Sequence, residues 1–435
     1  MNTGKLKNLI SIAKNALKKG LFSIFGASVL ANILGFIANT VIVRFISKAE
    51  YGIYSYANNQ LTYFMLLSGL GAGSAILQMC SEIPDDNEKV KSIYNFGCKV
   101  GILSNLALAL IILLYSYFVP LPVKGADMLL RLMCLLPLAK SLPNMQTGFM
   151  RSRLRNNDFA WSNIIKAVAS CVFMIAGAYF FKAEGLIAGN YITAFLTTFL
   201  IALIFHVPII SKKHGTLLKE TKKDFFKISL ISMANNAISE LLYLLDITII
   251  AAIVGSEEVI ASYKVATVIP TGLIFFPSAL ITFIYPYFAR HKDDAVWVKK
   301  NYIYAILATF ALDAVIAVIL FIIAPWLLPF LFGANYTDAV LPFRILITGF
   351  AFSGTFRILS GNLLVTQREL KFNMVVAITS GIVNIIADII LIRVYGSVGA
   401  AIATVIVQLL SGIMNTSRMF YVLNKKAKQQ IKKID

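Results

Sequence analysis

The chain has 435 residues, of which 58% are hydrophobic and only 14% charged, against about 25% charged in a soluble domain. That much apolar surface cannot be buried in one soluble core, which excludes an ordinary soluble enzyme or binding module. The formal charge of +19 would point to nucleic acid in a soluble protein. Here the cations sit in short segments between apolar runs, the pattern of membrane topology, and no nucleic-acid partner is expected.

In chain order, residues 1–20 read as an interfacial amphipathic segment rather than a cleavable signal. Leu6, Leu9, Ile10, Ala13 and Leu17 share one helical face, and lysines fill the rest. Apolar runs of about 20 residues then recur to the end of the chain, each long enough to cross about 30 Å of hydrocarbon as a helix. Residues 106–114 (LALALIILL) do not alternate in polarity, so a β-barrel is excluded. Spans are expected near 21–46, 51–79, 91–118, 125–150, 158–181, 186–210, 225–253, 258–289, 298–325, 338–366, 371–394 and 398–423. The expected fold class is therefore an all-α integral membrane protein of about twelve transmembrane helices.

Lysine and arginine set the orientation. If the N-terminus is cytoplasmic, the cytoplasmic segments hold 28 of the 40 cations. The opposite loops hold only Arg44, Lys48, Lys124, Lys182 and Arg393, and both termini are expected in the cytoplasm. The halves also resemble each other. Arg131, Gly148 and Phe159 recur 213 residues later as Arg344, Gly361 and Phe372. Ser47, Tyr54 and Ala57 recur 209 residues later as Ser256, Tyr263 and Ala266. Two six-helix lobes related by a pseudo-two-fold axis along the membrane normal are the transporter plan this suggests. The expected division is an N-lobe over 21–210, a cytoplasmic linker over 211–224, a C-lobe over 225–423 and a basic tail over 424–435.

Catalytic chemistry is not legible. There is no phosphate-binding G-x-x-x-x-G-K-[ST] loop, no HExxH and no nucleophile elbow. His206, His214 and His291 stand apart, without metal-ligand spacing. Cys80, Cys98, Cys134 and Cys171 read as small buried residues. No enzyme activity, metal or cofactor is expected. The informative residues are ionisable groups inside spans, which cost about 2.5–3.5 kcal/mol each and so face a cavity or a partner. The cations are Lys99, Arg131, Lys140, Lys166, Lys264, Arg344 and Arg357, and the acids are Glu240, Asp246, Asp313 and Asp388. The excess of cations favours an anionic ligand. Lys99 and Lys166 lie near enough to the cytoplasmic edge to snorkel. Arg131 and Arg344 could line an outer vestibule or snorkel, while Lys140 and Arg357 lie deeper and read as cavity residues. Lys264 could pair with Asp246. Asp246, Asp313 and Asp388 could take up a coupling H⁺ or Na⁺, or only bond a neighbouring helix. Asn39, Asn235 and Asn236, with Asn32, Asn58 and Asn59, add a polar lining or inter-helix hydrogen bonds.

RFISKAEYGIYSYA (44–57) resembles the loop between the first two spans of polysaccharide flippases, roughly R-x-L-G-x-x-E-Y-G-x-Y-x-x-A. DITIIAAIVGSEEVIASYKVA (246–266) looks like its second-half partner. YGSVGAAIAT (395–404) is similar to the G-x-x-G-A-A-x-A-T motif that opens the last span, and EGLIAG (184–189) matches it loosely. On these residues the chain resembles the oligosaccharide flippase branch of the multidrug/oligosaccharidyl-lipid/polysaccharide exporter superfamily. Arg44, Glu50, Tyr51, Gly52, Tyr54, Asp246 and Tyr263 match family positions. Ser47 and Ala261 depart from it, standing where glycine is usual.

The resemblance implies a flippase in the bacterial cytoplasmic membrane. It would move an undecaprenyl-pyrophosphate-linked oligosaccharide from the cytoplasmic to the outer leaflet by alternating access, for O-antigen, capsule or exopolysaccharide synthesis. Membrane lipid, and a polysaccharide polymerase and glycosyltransferases of the same route, are the implied partners. The substrate-binding candidates are Arg44, Lys140, Lys264, Arg344, Arg357, Arg131, Asn39, Asn235 and Asn236. The ion-coupling or gating candidates are Asp246, Asp313 and Asp388. A cation-coupled multidrug exporter of the same superfamily is the rival reading.

Overall fold

A computed structural model describes residues 21–83, 86–209 and 217–431. The amphipathic segment expected over 1–20 lies outside them, as does 211–216 of the expected linker. Among the described residues the chain is helical and holds no strand, as a backbone without water must be. It forms two compact units, one ending at Leu244 and the other beginning at Leu245.

The first unit contains α1 (Leu21–Phe45), α2 (Lys48–Met65), a 3₁₀ turn (Ser68–Gly71), α3 (Ala72–Glu82), α4 (Asn87–Phe118), α5 (Ala126–Leu132), α6 (Leu136–Ser152) and α7 (Asn156–Ile204). The helix α8 (Lys219–Ile253) starts in it. The second unit contains α9 (Glu257–Leu273), α10 (Phe275–Arg290), α11 (Ala295–Phe332), a 3₁₀ turn (Ala334–Ala339) and α12 (Val340–Phe352). It continues with a π-helical turn (Ser353–Leu359), α13 (Ser360–Thr366), α14 (Leu370–Tyr395) and α15 (Ser397–Ile431).

The runs expected as single rods over 51–79, 125–150, 258–289 and 338–366 are each interrupted. Conversely, the runs over 158–181 and 186–210 join as α7. At 1.5 Å per residue α7 would be about 74 Å long, more than twice the hydrocarbon thickness. It is two crossings, because the backbone leaves the helix at Lys182 (φ 51°, ψ −128°). With that division the described helices make about twelve crossings. α15 runs to Ile431, so most of the expected tail is the last turns of that helix.

Local geometry repeats between the halves. Gly396, between α14 and α15, has φ 56° and ψ −130°, nearly the values of Lys182. Beyond each break a glycine lets the hairpin close: Gly185 lies on the backbone of Gly177, and Gly399 on that of Leu391, with no room for a Cβ. Ser47 caps α2 by accepting from the Glu50 N–H at 3.3 Å, and Ser256 caps α9 by accepting from the Val259 N–H at 3.5 Å. Tyr54 bonds Asn190, as Tyr263 bonds Thr404. Ser47 thus has a capping role where the family usually has glycine.

Each unit has its own core. Ile76, Ile93, Cys98, Met150 and Phe225 pack in the first, and Tyr302, Leu359, Leu363 and Met419 in the second. The outer faces of α4, α7 and α11 are apolar and exposed, as at Leu103, Phe199 and Val315. These are the surfaces for lipid.

Lys182 holds a backbone conformation that strongly favours glycine, at a cost of about 1–3 kcal/mol. Lys182→Gly is expected to raise the thermal midpoint of the detergent-purified protein by several degrees. A lowered midpoint would mean that the lysine side chain contributes more than the backbone loses.

Candidate functional site

In the first unit, two polar stripes face each other. On α7, Asn163, Lys166, Ala167 and Ser170 recur at helical spacing and share one face. On α1, Ser28, Asn32, Gly35 and Ala38 do the same. Together they line a cavity of about 380 Å³. Trp161, Val168 and Val172 occupy the opposite, exposed face of α7.

A second cavity, of about 540 Å³, lies where α2 breaks before α3. The break exists because Gly69, Leu70 and Gly71 all take positive φ (60°, 49° and 77°). Asn105, fully buried on α4, closes it. Its Oδ1 accepts from the Gly69 N–H at 3.1 Å and from the Ser68 hydroxyl at 3.0 Å. Its Nδ2 donates to Ser141 at 2.9 Å and to the Gly101 carbonyl at 2.8 Å. Ser229 on α8 donates to the Leu70 carbonyl. Ser74, Asn144, Thr147, Arg151 and Phe159 line the cavity, and Asn163 belongs to both cavities. Arg151 lies over the Phe159 ring, 5.3 Å from its centre.

Among the described residues no aspartate or glutamate lines either cavity. Lys140, half-buried on α6, lines neither cavity but lies near enough to Lys166 to feel its charge. Neither ammonium has an ion pair among the described residues. Among the described residues, the charged side chains that line the two cavities, Arg151 and Lys166, are both cations.

Three of the four intramembrane acids, Asp246, Asp313 and Asp388, belong to the second unit, and the side chain of Glu240 lies outside the described ones. Asp246 on α8 accepts from the Tyr263 hydroxyl, from the Thr404 hydroxyl at 2.8 Å and, at 3.5 Å, from the Asn384 Nδ2. The same Nδ2 donates to Asp388 at 3.0 Å. The two carboxyls lie within bonding reach of each other. Asp388 is fully buried, and its second oxygen has no partner. Side-by-side carboxyls repel unless a proton or a cation sits between them. With Asn384 and Thr404 the cluster offers the hard oxygen ligands an alkali cation takes. Among the described residues no three His, Cys, Asp or Glu side chains converge as a metal site.

The other expected candidates are dispersed. Asn39 accepts from the Tyr51 hydroxyl at 2.9 Å, so a family position holds this asparagine in place. Glu50, a further family position, accepts from the Ala183 N–H at 3.2 Å and caps the helix after the Lys182 break. Arg44 is exposed at the end of α1. Arg131 pairs with Asp127 and lies 4.2 Å from the centre of the Tyr117 ring. Arg344 donates to the Phe321 carbonyl at 3.0 Å and lies over its ring. Both arginines are held by local partners outside the two cavities. Lys264 has no ion pair with Asp246. Tyr263 precedes it by one residue, about 100° around the helix, and takes that place. Arg357 is half-buried in the π turn, and Asp313 is buried beside that turn. The side chains of Asn235 and Asn236 lie outside the described ones.

Sequence reasoning missed Asn163, Ser170, Ser28 and Asn144, and Arg151 entered it only as one of the 28 cations that set the orientation. The signal was there: polar residues on α7 and α1 at spacings of three and four.

The family model for "Polysaccharide biosynthesis protein" matches residues 17–292, more than half of the chain. The chain belongs to that family. No curated protein matches it by sequence. Among solved structures, an inward-facing multidrug resistance MATE family transporter of the MOP superfamily aligns with TM-score 0.70 at 15% identity, over 93% of this chain and 95% of that one. The lipid II flippase MurJ, inward closed, aligns with TM-score 0.69 at 18% identity, over 94% and 90%. A MOP superfamily transporter from Pyrococcus furiosus aligns with TM-score 0.61 at 13% identity, over 95% and 96%. At these identities the likeness carries the fold. This family member is a multi-pass membrane protein with the transporter and flippase fold of the MOP superfamily.

Asn105 is the keystone of the α2–α3 break. Asn105→Leu would orphan the Gly69 N–H, and each orphaned buried group costs about 1–3 kcal/mol. A thermal midpoint lowered by several degrees in detergent is expected. An unchanged midpoint would show that the break closes without it.

Proposed function

We propose that this protein is a flippase that carries a polyprenyl-pyrophosphate-linked oligosaccharide from the cytoplasmic to the outer leaflet, with both termini in the cytoplasm. The observation that carries the reading is the acid-free, cationic pair of cavities in the first unit. A pyrophosphate is anionic and a sugar is dense in hydroxyls. Lys140, Lys166 and Arg151 would meet the first with charge-assisted hydrogen bonds. Asn163, Asn144 and Asn32 would meet the second. The cavity volumes fall in the range of small-molecule sites, about 300–1,000 Å³. A carrier of cationic drugs would need acids here, and none of the described residues that line these cavities is one. The family description and the likeness to a lipid II flippase support the same substrate class.

Transport in one direction needs a driving force. The Asp246–Asp388 cluster, with Asn384 and Thr404, would bind the coupling cation, and binding would shift the populations of the alternating states. A polymerase and glycosyltransferases would be the neighbours in the route.

Reconstituted vesicles with a fluorescent lipid-linked oligosaccharide test the substrate. Lys140→Ala and Lys166→Ala are each expected to slow flipping about tenfold to a hundredfold, the effect of one lost charged hydrogen bond, with insertion unchanged. Wild-type rates in both variants would remove the cationic site. Ethidium efflux by the wild type would favour the multidrug reading instead.

The cation is tested separately. Sodium at about 100 times its dissociation constant should stabilise the protein by about 2.7 kcal/mol, read as a raised thermal midpoint relative to choline. Asp388→Asn should abolish that rise. A rise that survives the substitution places the cation elsewhere; no rise with sodium but a response to pH makes the proton the coupling ion.

A further inference from the structure

Asp313 is not part of the cluster just described. It lies midway along α11 and is fully buried. Its Oδ2 accepts from the Thr355 hydroxyl at 3.3 Å, and its Oδ1 has no partner. Among the described residues no cation pairs with it. Residues 306–324 of α11 hold no other ionisable group, residues 275–284 of α10 hold none, and residues 405–412 of α15 hold none. Arg344 on α12 is bonded to Phe321, and Arg357, on the same turn as Thr355, makes no ion pair with Asp313. A charged carboxylate in such surroundings would cost several kcal/mol. The neutral acid, with a proton on Oδ1, removes that cost.

The carboxyl faces an irregular backbone. Residues 353–359 form a π turn inside an otherwise α-helical crossing. A Cβ on Gly354 would overlap the Asp313 carboxyl, so glycine is what lets the acid sit against the turn. On its other side the turn is held by α15. Asn415 donates to the Arg357 carbonyl at 3.2 Å, and Thr416 donates to the Phe356 carbonyl at 3.3 Å. Thr416 and Tyr302 both bond Ser360, just past the turn. The turn is thus clamped between one lone acid and a set of neutral polar groups.

We propose that Asp313 is a proton-binding site whose occupancy sets the register of the π turn, and with it the direction of Arg357. The step is a simple protonation: a proton joins Oδ1 in the closed arrangement and leaves to water when the site opens. Loss of the proton leaves a charge without a donor on Oδ1. Relief comes when the turn moves and admits water. Rewinding a π turn to α removes one residue of excess and rotates the adjoining helix by about 100°. A buried two-state element of this kind is what a proton can bias.

The test needs no substrate, so its failure leaves the flippase reading intact. The full chain, with Cys80, Cys98, Cys134 and Cys171 changed to serine, carries nitroxide labels on Asn362→Cys and Tyr304→Cys in lipid nanodiscs. The distance between labels is expected to shift by several ångströms between about pH 5 and about pH 8, the displacement of a side chain on a rotated helix. Asp313→Asn should hold the low-pH distance at both values, and Asp388→Asn should leave the shift in place. A distance that ignores pH, or a shift that survives Asp313→Asn, overturns the proposal. If Asp313→Asn does not accumulate, Asp313→Glu replaces it. That variant must move the midpoint of the shift, and an unmoved midpoint is equally fatal.

Discussion

A backbone in hydrocarbon has no water to satisfy it, so every departure from the helix must be closed by a side chain. Three sites in this protein are built on that constraint. Asn105 closes the break between α2 and α3, Glu50 caps the restart of α7 after Lys182, and Asn415 with Thr416 hold the carbonyls of the π turn. Each closure is also the place where a crossing ceases to be a uniform rod. The larger described cavity opens at the first of them, and a lone buried acid faces the third.

The two units use charge differently. In the first, Lys166 and Arg151 line cavities that hold no acid among the described residues, and Lys140 lies near enough to Lys166 to feel its charge. In the second, Asp246 and Asp388 bond to hydroxyl and amide groups and to no cation. Opposite charges brought together in a low-dielectric interior would neutralise one another as a structural pair. Among the described residues neither set has an ion-pair partner of opposite charge. Lys264, without an ion pair beside the acid cluster, follows the same rule, because Tyr263 takes the place that a salt bridge would have used.

Residues that match the family motifs sit mostly in the scaffold. Tyr51 orients Asn39, Tyr54 bonds Asn190, and Glu50 caps a helix. Asp246 is the exception, since its hydrogen bonds converge on a second acid. The motif therefore marks where hairpins between successive crossings close. The polar lining of the cavities lies at other positions, on α1, on α3, on α6 and on the first crossing of α7.

The sequence by itself determined the all-α membrane class, the approximate spans and the repeat, because length, hydropathy and charge placement act locally and survive without knowledge of neighbours. It also isolated the buried charges, since any ionisable group in a span stands out. Only the tertiary structure decided their partners. Arg131 and Arg344 stack on aromatic rings, while Lys166, within snorkelling reach on sequence, lines a cavity beside Asn163. A helix position fixes a direction around one axis, but what lies in that direction depends on the packing of other helices. The breaks at 69–71 and 353–359 were illegible for a related reason: a helix leaves its regular path where a side chain from elsewhere can satisfy the freed groups, and that side chain is distant in the sequence.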